Sequence, residues 1–358
     1  MNHPIAPILT CILLCLAAPA PAYEAEPLTP AESAAAAADY QRYCALCHGV
    51  DRAGNANDEA PSLRSKTLMH TGFPEFLLFT VAYGRRGTPM AGFFEEIGGP
   101  MNNAELYRLV RWLKEQVGVA SVDLPTEPIP GDSRRGREIY DRECARCHGE
   151  EAEGGVGPAI GNPAFLALAS DAFLRYTIEH GRDGTEMLPF GTALSGEDLD
   201  NVTAFLRSLE THWTNEKPVL RAPPGPDQYV LNASAPAAGF ELQDGLYVMA
   251  ADLNRALQEK RRMVVLDTRV TSMWQIAHIE GAVPIPFYHE GIAGLSADLP
   301  TDGTPIVSYC ECPRAAAESV TRKLRAAGFG NTAVLYEGIS GWIALGFPVF
   351  SGEIAAPE

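Results

Sequence analysis

Three things are scarce in this 358-residue chain, and each scarcity excludes something. Basic side chains are few: 28 Lys and Arg face 45 Asp and Glu, for a net charge of −17. A surface that acidic repels a phosphate backbone, so nucleic acid is excluded as a partner. The charge could steer a basic redox partner, or it is a solvated face that aids solubility. Spare cysteine is also missing. Of eight cysteines, Cys11 and Cys15 fall near the N-terminus, four lie in a pair of short motifs, and only Cys310 and Cys312 remain, so there is no disulfide framework. Long apolar runs are absent as well: Ile8 to Ala18 is too short to span a bilayer comfortably, and no stable membrane span is expected.

The short motifs carry the chemistry. Cys44-Ala45-Leu46-Cys47-His48 and Cys144-Ala145-Arg146-Cys147-His148 stand 100 positions apart. In C-x-x-C-H two thiols bond the porphyrin vinyl groups and the adjacent histidine ligates iron, which implies two covalently bound haem c groups. A second match follows each motif. Gly84-Arg85-Arg86-Gly87-Thr88-Pro89-Met90 reads against Gly181-Arg182-Asp183-Gly184-Thr185-Glu186-Met187 at an offset of 97. Pro61 and Pro158 sit 13 and 10 residues after their histidines, so one three-residue deletion aligns the whole unit. The unit is duplicated.

On these residues the sequence resembles class I cytochrome c domains over residues 34–118 and 132–212. The resemblance implies His48 and His148 as proximal ligands, Met90 and Met187 as distal ligands, and the Pro61 and Pro158 carbonyls as acceptors that orient the imidazoles. A thioether opposite an imidazole favours Fe(II) and leaves no open coordination position, which suits electron transfer. Met69 and Met101 lack the repeated Gly-Arg-x-Gly-Thr context; His70 and His180 lie before the methionine loops and could compete for iron, but Tyr83 stands at the repeat position of His180.

The N-terminal residues 1–22 read as a signal peptide with Ala20-Pro21-Ala22 as its cleavage site, giving a periplasmic protein. The first ten residues contain no Lys or Arg, which leaves an uncleaved anchor as the alternative. An alanine-rich helix from Ala31 leads into the first motif, and apolar stripes through Leu106, Leu109, Val110 and Leu113, and through Leu199, Val202, Phe205, Leu206 and Leu209, predict helices that close each unit. Residues 213–240 are proline-rich and read as a linker. Beyond it, strand-like runs at Met263 to Leu266 and Ile306 to Tyr309 and a helix at Ala315 to Ala327 predict an α/β unit with a central parallel sheet over residues 241–354. The fold class expected is multidomain, two all-α units followed by an α/β one.

Asp267-Thr268-Arg269, Ala277-His278-Ile279-Glu280-Gly281-Ala282, Glu337-Gly338 with Trp342, and Gly346-Phe347-Pro348-Val349 together resemble the rhodanese family. That resemblance implies Cys310 as a persulfide-carrying nucleophile at the mouth of the loop Cys310-Glu311-Cys312-Pro313-Arg314 and a structural role for Asp267 and Arg269; Arg314 is a candidate anion contact or an exposed arginine at a helix start. Cys312 is a second sulfur acceptor, a reducible partner for Cys310, or a small buried residue. Pro313 lacks an N–H and Glu311 adds charge of the wrong sign for an anionic donor. The sequence thus points to a dihaem electron carrier with a redox partner protein, coupled to a small sulfur compound. Alternatives are an electron carrier with an inert docking module and a sulfurtransferase with accessory haems.

Overall fold

The computed structural model describes residues 27–55, 60–72, 74–213, 218–289, 297–311 and 314–351. The expected signal peptide, and Cys312 with Pro313, lie outside these residues. Helix α1 (Pro30–Tyr43) starts from a capping box in which the Thr29 hydroxyl and the Glu32 carboxylate satisfy each other's backbone donors. It ends at Cys44, and α2 (Ala45–His48) turns directly out of it. After α3 (Lys66–Thr71) and α4 (Pro74–Tyr83) comes α5 (Asn103–Val117), whose Leu106, Leu109, Val110 and Leu113 form the expected buried stripe.

The second repeat rebuilds this order with α6 (Ser133–Glu143), α7 (Ala145–His148), α8 (Pro163–Leu168), α9 (Asp171–His180) and α10 (Gly196–Ser208). Helix α10 starts from the Ser195/Asp198 capping box read in the sequence. The first and last helices of each repeat cross, α1 on α5 and α6 on α10, through Tyr40 against Trp112 at 5.5 Å and Tyr140 against Phe205 at 5.0 Å. Burial of each ring is of order 2 kcal/mol of hydrophobic stabilisation, and it fixes the helix that delivers the C-x-x-C-H segment.

The C-terminal unit is a five-stranded parallel sheet in the order β1-β5-β4-β2-β3, with β1 Tyr247–Val248, β2 Val264–Asp267, β3 Val283–Pro284, β4 Ile306–Tyr309 and β5 Thr332–Leu335. Strands β2, β4 and β5 are buried at every position, as parallel strands covered on both faces are. Helices α11 (Ala250–Gln258), α12 (Thr271–Ile276), α13 (Ala315–Ala326) and α14 (Gly338–Ala344) pack around them.

The proline-rich stretch is not a loose tether. Arg221 exchanges two backbone hydrogen bonds with the Gln275 amide, each 2.8 Å, Leu231 pairs with Met263 and Ala237 with Arg262, and Tyr229 and Ala238 are buried in the sheet's core. Its prolines hide an anchoring role because bridges of single residues leave no periodic pattern to read. Helix α12 also docks on the first repeat: the Ser272 hydroxyl donates to the Gly92 carbonyl at 2.5 Å, and Val270 and Met273 join the first repeat's hydrophobic core. Among the described residues no helix is long and apolar enough to cross a membrane.

Candidate haem pockets and the Cys310 loop beside them

Each motif histidine is fixed by the carbonyl that the proline spacing anticipates. His48 Nδ1 lies 2.9 Å from the Pro61 oxygen and His148 Nδ1 2.9 Å from the Pro158 oxygen. A carbonyl only accepts, so Nδ1 carries the proton and Nε2 keeps its lone pair. Burial pulls both imidazoles below their ordinary pKa, more than these bonds raise them, so the ligating neutral form is favoured. Burial also pushes the Cys44 thiol up to about 12 and the Cys144 thiol up to about 11. The Tyr40 and Tyr140 hydroxyls each donate to the carbonyl of the glycine after the histidine, Gly49 at 2.6 Å and Gly149 at 2.7 Å, locking α2 and α7 in the same pose.

The methionine loops superimpose bond for bond. Arg85 N–H donates to the Met90 carbonyl at 2.8 Å and Arg182 N–H to the Met187 carbonyl at 2.8 Å. The Thr88 and Thr185 hydroxyls donate to the arginine carbonyls at 2.7 and 2.8 Å, and each accepts from its methionine N–H. Glycine is required at the loop entry. Gly84 and Gly181 have φ of +68° and +66°, and a Cβ there would lie 2.4 and 2.5 Å from the methionine carbonyls.

The four other candidates for iron are engaged otherwise. Met69, on α3, also lines the first pocket, but it is wholly buried as core and its repeat counterpart is Leu166, likewise wholly buried. Met101 is core against Phe94. His70 bonds the Ala120 carbonyl, and His180 stacks on Tyr176 at 3.9 Å.

The first pocket is a cavity of about 250 Å³ lined by Cys44, Cys47, His48 and Met90, and its far wall is Arg269, Val270, Met273, Phe287, Cys310 and Glu311 of the C-terminal unit. Leu46, between the two motif cysteines, packs in one hydrophobic cluster with Cys310, Ala316 and Ala317. Tyr288 meets Tyr43 edge-on at 4.9 Å at the same junction. The residues present fit a porphyrin: thiols, imidazole and thioether converge on one space, and the buried Arg85 Nε at its rim has no hydrogen-bond partner among the described residues.

Cys310 follows central strand β4 and is 2 % exposed. Its carbonyl accepts from Ile339 N–H at 3.1 Å, which seats the loop against α14. Beneath it, Arg269 bridges Asp267 and Glu311, with Nη2 2.7 Å from Asp267 Oδ2 and Nη1 2.6 Å from Glu311 Oε2. Burial works against that cation, but the Asp267 carboxylate, with help from Glu311, holds it above the ordinary range. Asp267 also accepts from the Tyr309 hydroxyl at 2.8 Å. The structural reading of Asp267 and Arg269 stands, with an addition that residue type alone did not reveal: Arg269 neutralises Glu311.

Arg314, expected to contact an anion beside Cys310, is placed otherwise. With φ of +87° it opens α13, and its guanidinium lies over the rings of Tyr336 at 4.4 Å and Tyr247 at 5.1 Å, 3.9 Å from Glu318. The two tyrosines arrive from β1 and the end of β5, a juxtaposition set by strand order and invisible at the level of the loop motif.

A family model described as cytochrome c oxidase, cbb3-type, subunit III matches residues 31–113 and 131–206, and a rhodanese-like domain model matches residues 249–345. The chain carries tandem cytochrome c domains and a rhodanese-like domain. The cytochrome domains bind covalent haem c, and two domains make the protein dihaem. Among curated relatives, cbb3-type cytochrome c oxidase subunit CcoP of Rhodobacter capsulatus is 28 % identical over 163 residues, covering 42 % of this chain and 51 % of that protein. Subunit FixP of a Bradyrhizobium strain is 30 % identical over 153 residues, covering 39 % and 49 %. The chain thus spans about half the length of the curated relatives it matches. A dihydro-heme d1 dehydrogenase of Pseudomonas aeruginosa is 33 % identical over 84 residues, covering 23 % of this chain and 17 % of that one. Among solved structures, the rhodanese-like domain of an Anabaena protein is 26 % identical, covers 29 % of this chain and 78 % of that one, and superimposes with a TM-score of 0.27.

Proposed function

We propose that this protein is a periplasmic dihaem electron carrier that oxidises a small sulfur compound at Cys310 and passes the electrons to its first haem and on to its second. In this reading Cys44 with Cys47, and Cys144 with Cys147, hold the porphyrins as thioethers. His48 and His148 would hold the iron through Nε2, with Met90 and Met187 as its further protein ligands. When bound, the haems supply two one-electron acceptors at a potential raised by methionine ligation.

The observation that carries the reading is that Cys310 lines the same cavity as Cys44, Cys47, His48 and Met90. With hydrosulfide as donor the step balances: the Cys310 thiolate forms an S–S bond to the incoming sulfur, and one proton and two electrons leave. The burial of Cys310 favours a small donor such as hydrosulfide over a bulkier one such as thiosulfate. The leader sequence and the exported habit of cytochrome c chemistry support the periplasmic placement, and the net charge of −17 supports a basic redox partner.

Anaerobic mixing of the oxidised protein with sulfide, thiosulfate or glutathione persulfide, followed by haem absorbance, tests the proposal. Two electrons per chain should enter rapidly from sulfide and fail to enter in Cys310→Ser. If no donor reduces the haems, the rhodanese-like domain is a docking module. If reduction survives Cys310→Ser, the cysteine has no part in it.

A further inference from the structure

The two methionine loops are held alike up to the methionine and differently after it. Four residues before each methionine the cytochrome domains clasp each other. Asp183 accepts from the Ser65 hydroxyl at 2.9 Å, Lys66 N–H at 2.9 Å, Thr67 N–H at 2.7 Å and the Thr67 hydroxyl at 2.8 Å, and in return the Asn162 amide donates to the Arg86 carbonyl at 2.9 Å. Three residues after each methionine the chain is again fixed in one way: Phe93 N–H donates to the Val81 carbonyl and Phe190 N–H to the Ile178 carbonyl, both at 3.0 Å. Between these points the repeats part. Ala91 and Gly92 are buried, whereas Leu188 and Pro189, their counterparts at the offset of 97, are exposed.

What meets Gly92 belongs to the rhodanese-like domain. The Ser272 hydroxyl, on a residue 1 % exposed, donates to the Gly92 carbonyl. A Cβ on Gly92 would lie 2.5 Å from Ile97 Cδ1 and 2.8 Å from the Ala82 carbonyl oxygen, so the segment is wedged between Ile97 and the end of α4, and its carbonyl is left to α12. Val270 and Met273, on either side of Ser272, line the cavity that Met90 lines. Helix α12 is itself held from several directions. Trp274 Nε1 donates to the Ala282 carbonyl at 2.8 Å, Gln275 exchanges with Arg221, and Arg269, which bridges Asp267 and Glu311, also donates to the Ala277 carbonyl where the helix ends. A donor on so fixed a helix restrains the carbonyl it meets, and a buried carbonyl deprived of its donor costs about 1–3 kcal/mol. Two residues from Met90, that cost falls on the placement of the thioether.

We propose that Ser272 is a positioning residue for the first haem: from the rhodanese-like domain it holds the segment that carries Met90, a restraint with no counterpart among the described residues of the second repeat. The inference rests on Met90 as a haem ligand, part of the reading above, and not on the Cys310 chemistry. A thioether favours Fe(II), so loosening its hold lowers the tendency of that haem to be reduced.

The test is a spectroelectrochemical titration of the full-length holoprotein, together with the sulfur-to-iron band of its ferric form and the haem content of each variant. In Ser272→Ala one of the two reduction constants should fall at least about threefold, which for one electron is about 28 mV at 59 mV per decade, and the band should weaken. The other wave should hold within about twofold, and the moving wave should be the one retained in Cys144→Ser with Cys147→Ser. Both waves falling together, or neither moving, would overturn the proposal. Gln275→Ala loosens the same helix from Arg221 without removing the donor to Gly92, and should leave both waves within about twofold; equal shifts in the two variants would reduce Ser272 to a contributor to domain stability and refute the assignment. Ser272→Cys keeps the shape with a weaker donor. Where the alanine variant loses a haem, a fall of the same wave in the cysteine variant supports the proposal and an unmoved wave there refutes it. A natural protein without the band would sink the ligand reading and this inference with it, whereas a band that is present and survives Ser272→Ala at full strength sinks this inference alone.

Discussion

The two cytochrome domains hold their ligand residues in nearly identical frames and differ in what closes over them. Around the first, the rhodanese-like domain supplies a wall of Val270, Met273, Phe287 and Cys310. Around the second, Leu188, next to Met187, is 69 % exposed, whereas Ala91, next to Met90, is 7 % exposed. Identical ligation therefore sits in two dielectric settings, and a haem more shielded from water is harder to charge. Under the proposed function the difference would give the pair a direction, with the covered site beside Cys310 and the more open site toward the acceptor of electrons.

Removing one site at a time breaks the comparison most sharply. Cys44→Ser with Cys47→Ser should leave one haem per chain by pyridine haemochrome assay and abolish sulfide-driven reduction, because the acceptor beside Cys310 is gone. Cys144→Ser with Cys147→Ser should also leave one haem, yet that haem should still be reduced by sulfide, two chains together taking the two electrons of each S–S bond formed. Equal loss from both double variants would show that the covered pocket has no privileged place.

A smaller effect sharpens the contrast through the middle residue of each motif. Leu46 packs against Cys310 and the start of α13, whereas its counterpart Arg146 is exposed. Leu46→Ala should cost about 1–3 kcal/mol, at the low end of buried-leucine truncations because Leu46 is only partly covered. Arg146→Ala should stay within about 0.5 kcal/mol. Denaturant midpoints at equal haem loading compare the two. An equal, small effect would mean that the rhodanese-like domain does not rest on the first motif.

Nearly all of the haem geometry was legible in the residues, because it is local. The C-x-x-C-H segment, the proline that orients its histidine and the glycine that lets the methionine loop turn are each held by bonds over short spans, and duplication printed them twice. The rhodanese-like sheet was legible for a similar reason: short strand-like runs such as Val264 to Leu266 and Ile306 to Tyr309, apolar but for Ser308, have few other uses. What the chain did not disclose is contact between units. Nothing in the loop from Cys310 reveals that Leu46 lies against it, and nothing near Arg314 reveals the rings of Tyr247 and Tyr336. The neutralisation of Glu311 by Arg269 spans two strands, and the anchoring of residues 221–238 depends on a helix 54 positions away from Arg221. Long-range pairing leaves no spacing to read.

The smallest expected effect concerns the clasp between the domains, where the repeat is again asymmetric: one side uses the Asp183 carboxylate and the other an amide. Asp183 is largely exposed, and burial raises its pKa, but the backbone donors of Thr67 and Lys66 and the hydroxyls of Thr67 and Ser65 together outweigh that and hold the carboxyl well below the usual carboxylate range. A carboxyl depressed in the folded state contributes stability above its unfolded pKa of about 3.9 and loses it as the pH falls from there through the folded value. Asp183→Asn should therefore destabilise by about 1 kcal/mol near neutrality, the gain of a charge-assisted bond discounted for exposure. The gap to the natural protein should begin to narrow below about pH 4, as the carboxyl is protonated in the unfolded chain while still ionised in the folded one. Denaturant midpoints of the two proteins at pH 7 and pH 3 measure that gap. If it is the same at both, the ionised form of Asp183 plays no part in joining the domains, and the amide of Asn162 alone would account for the clasp.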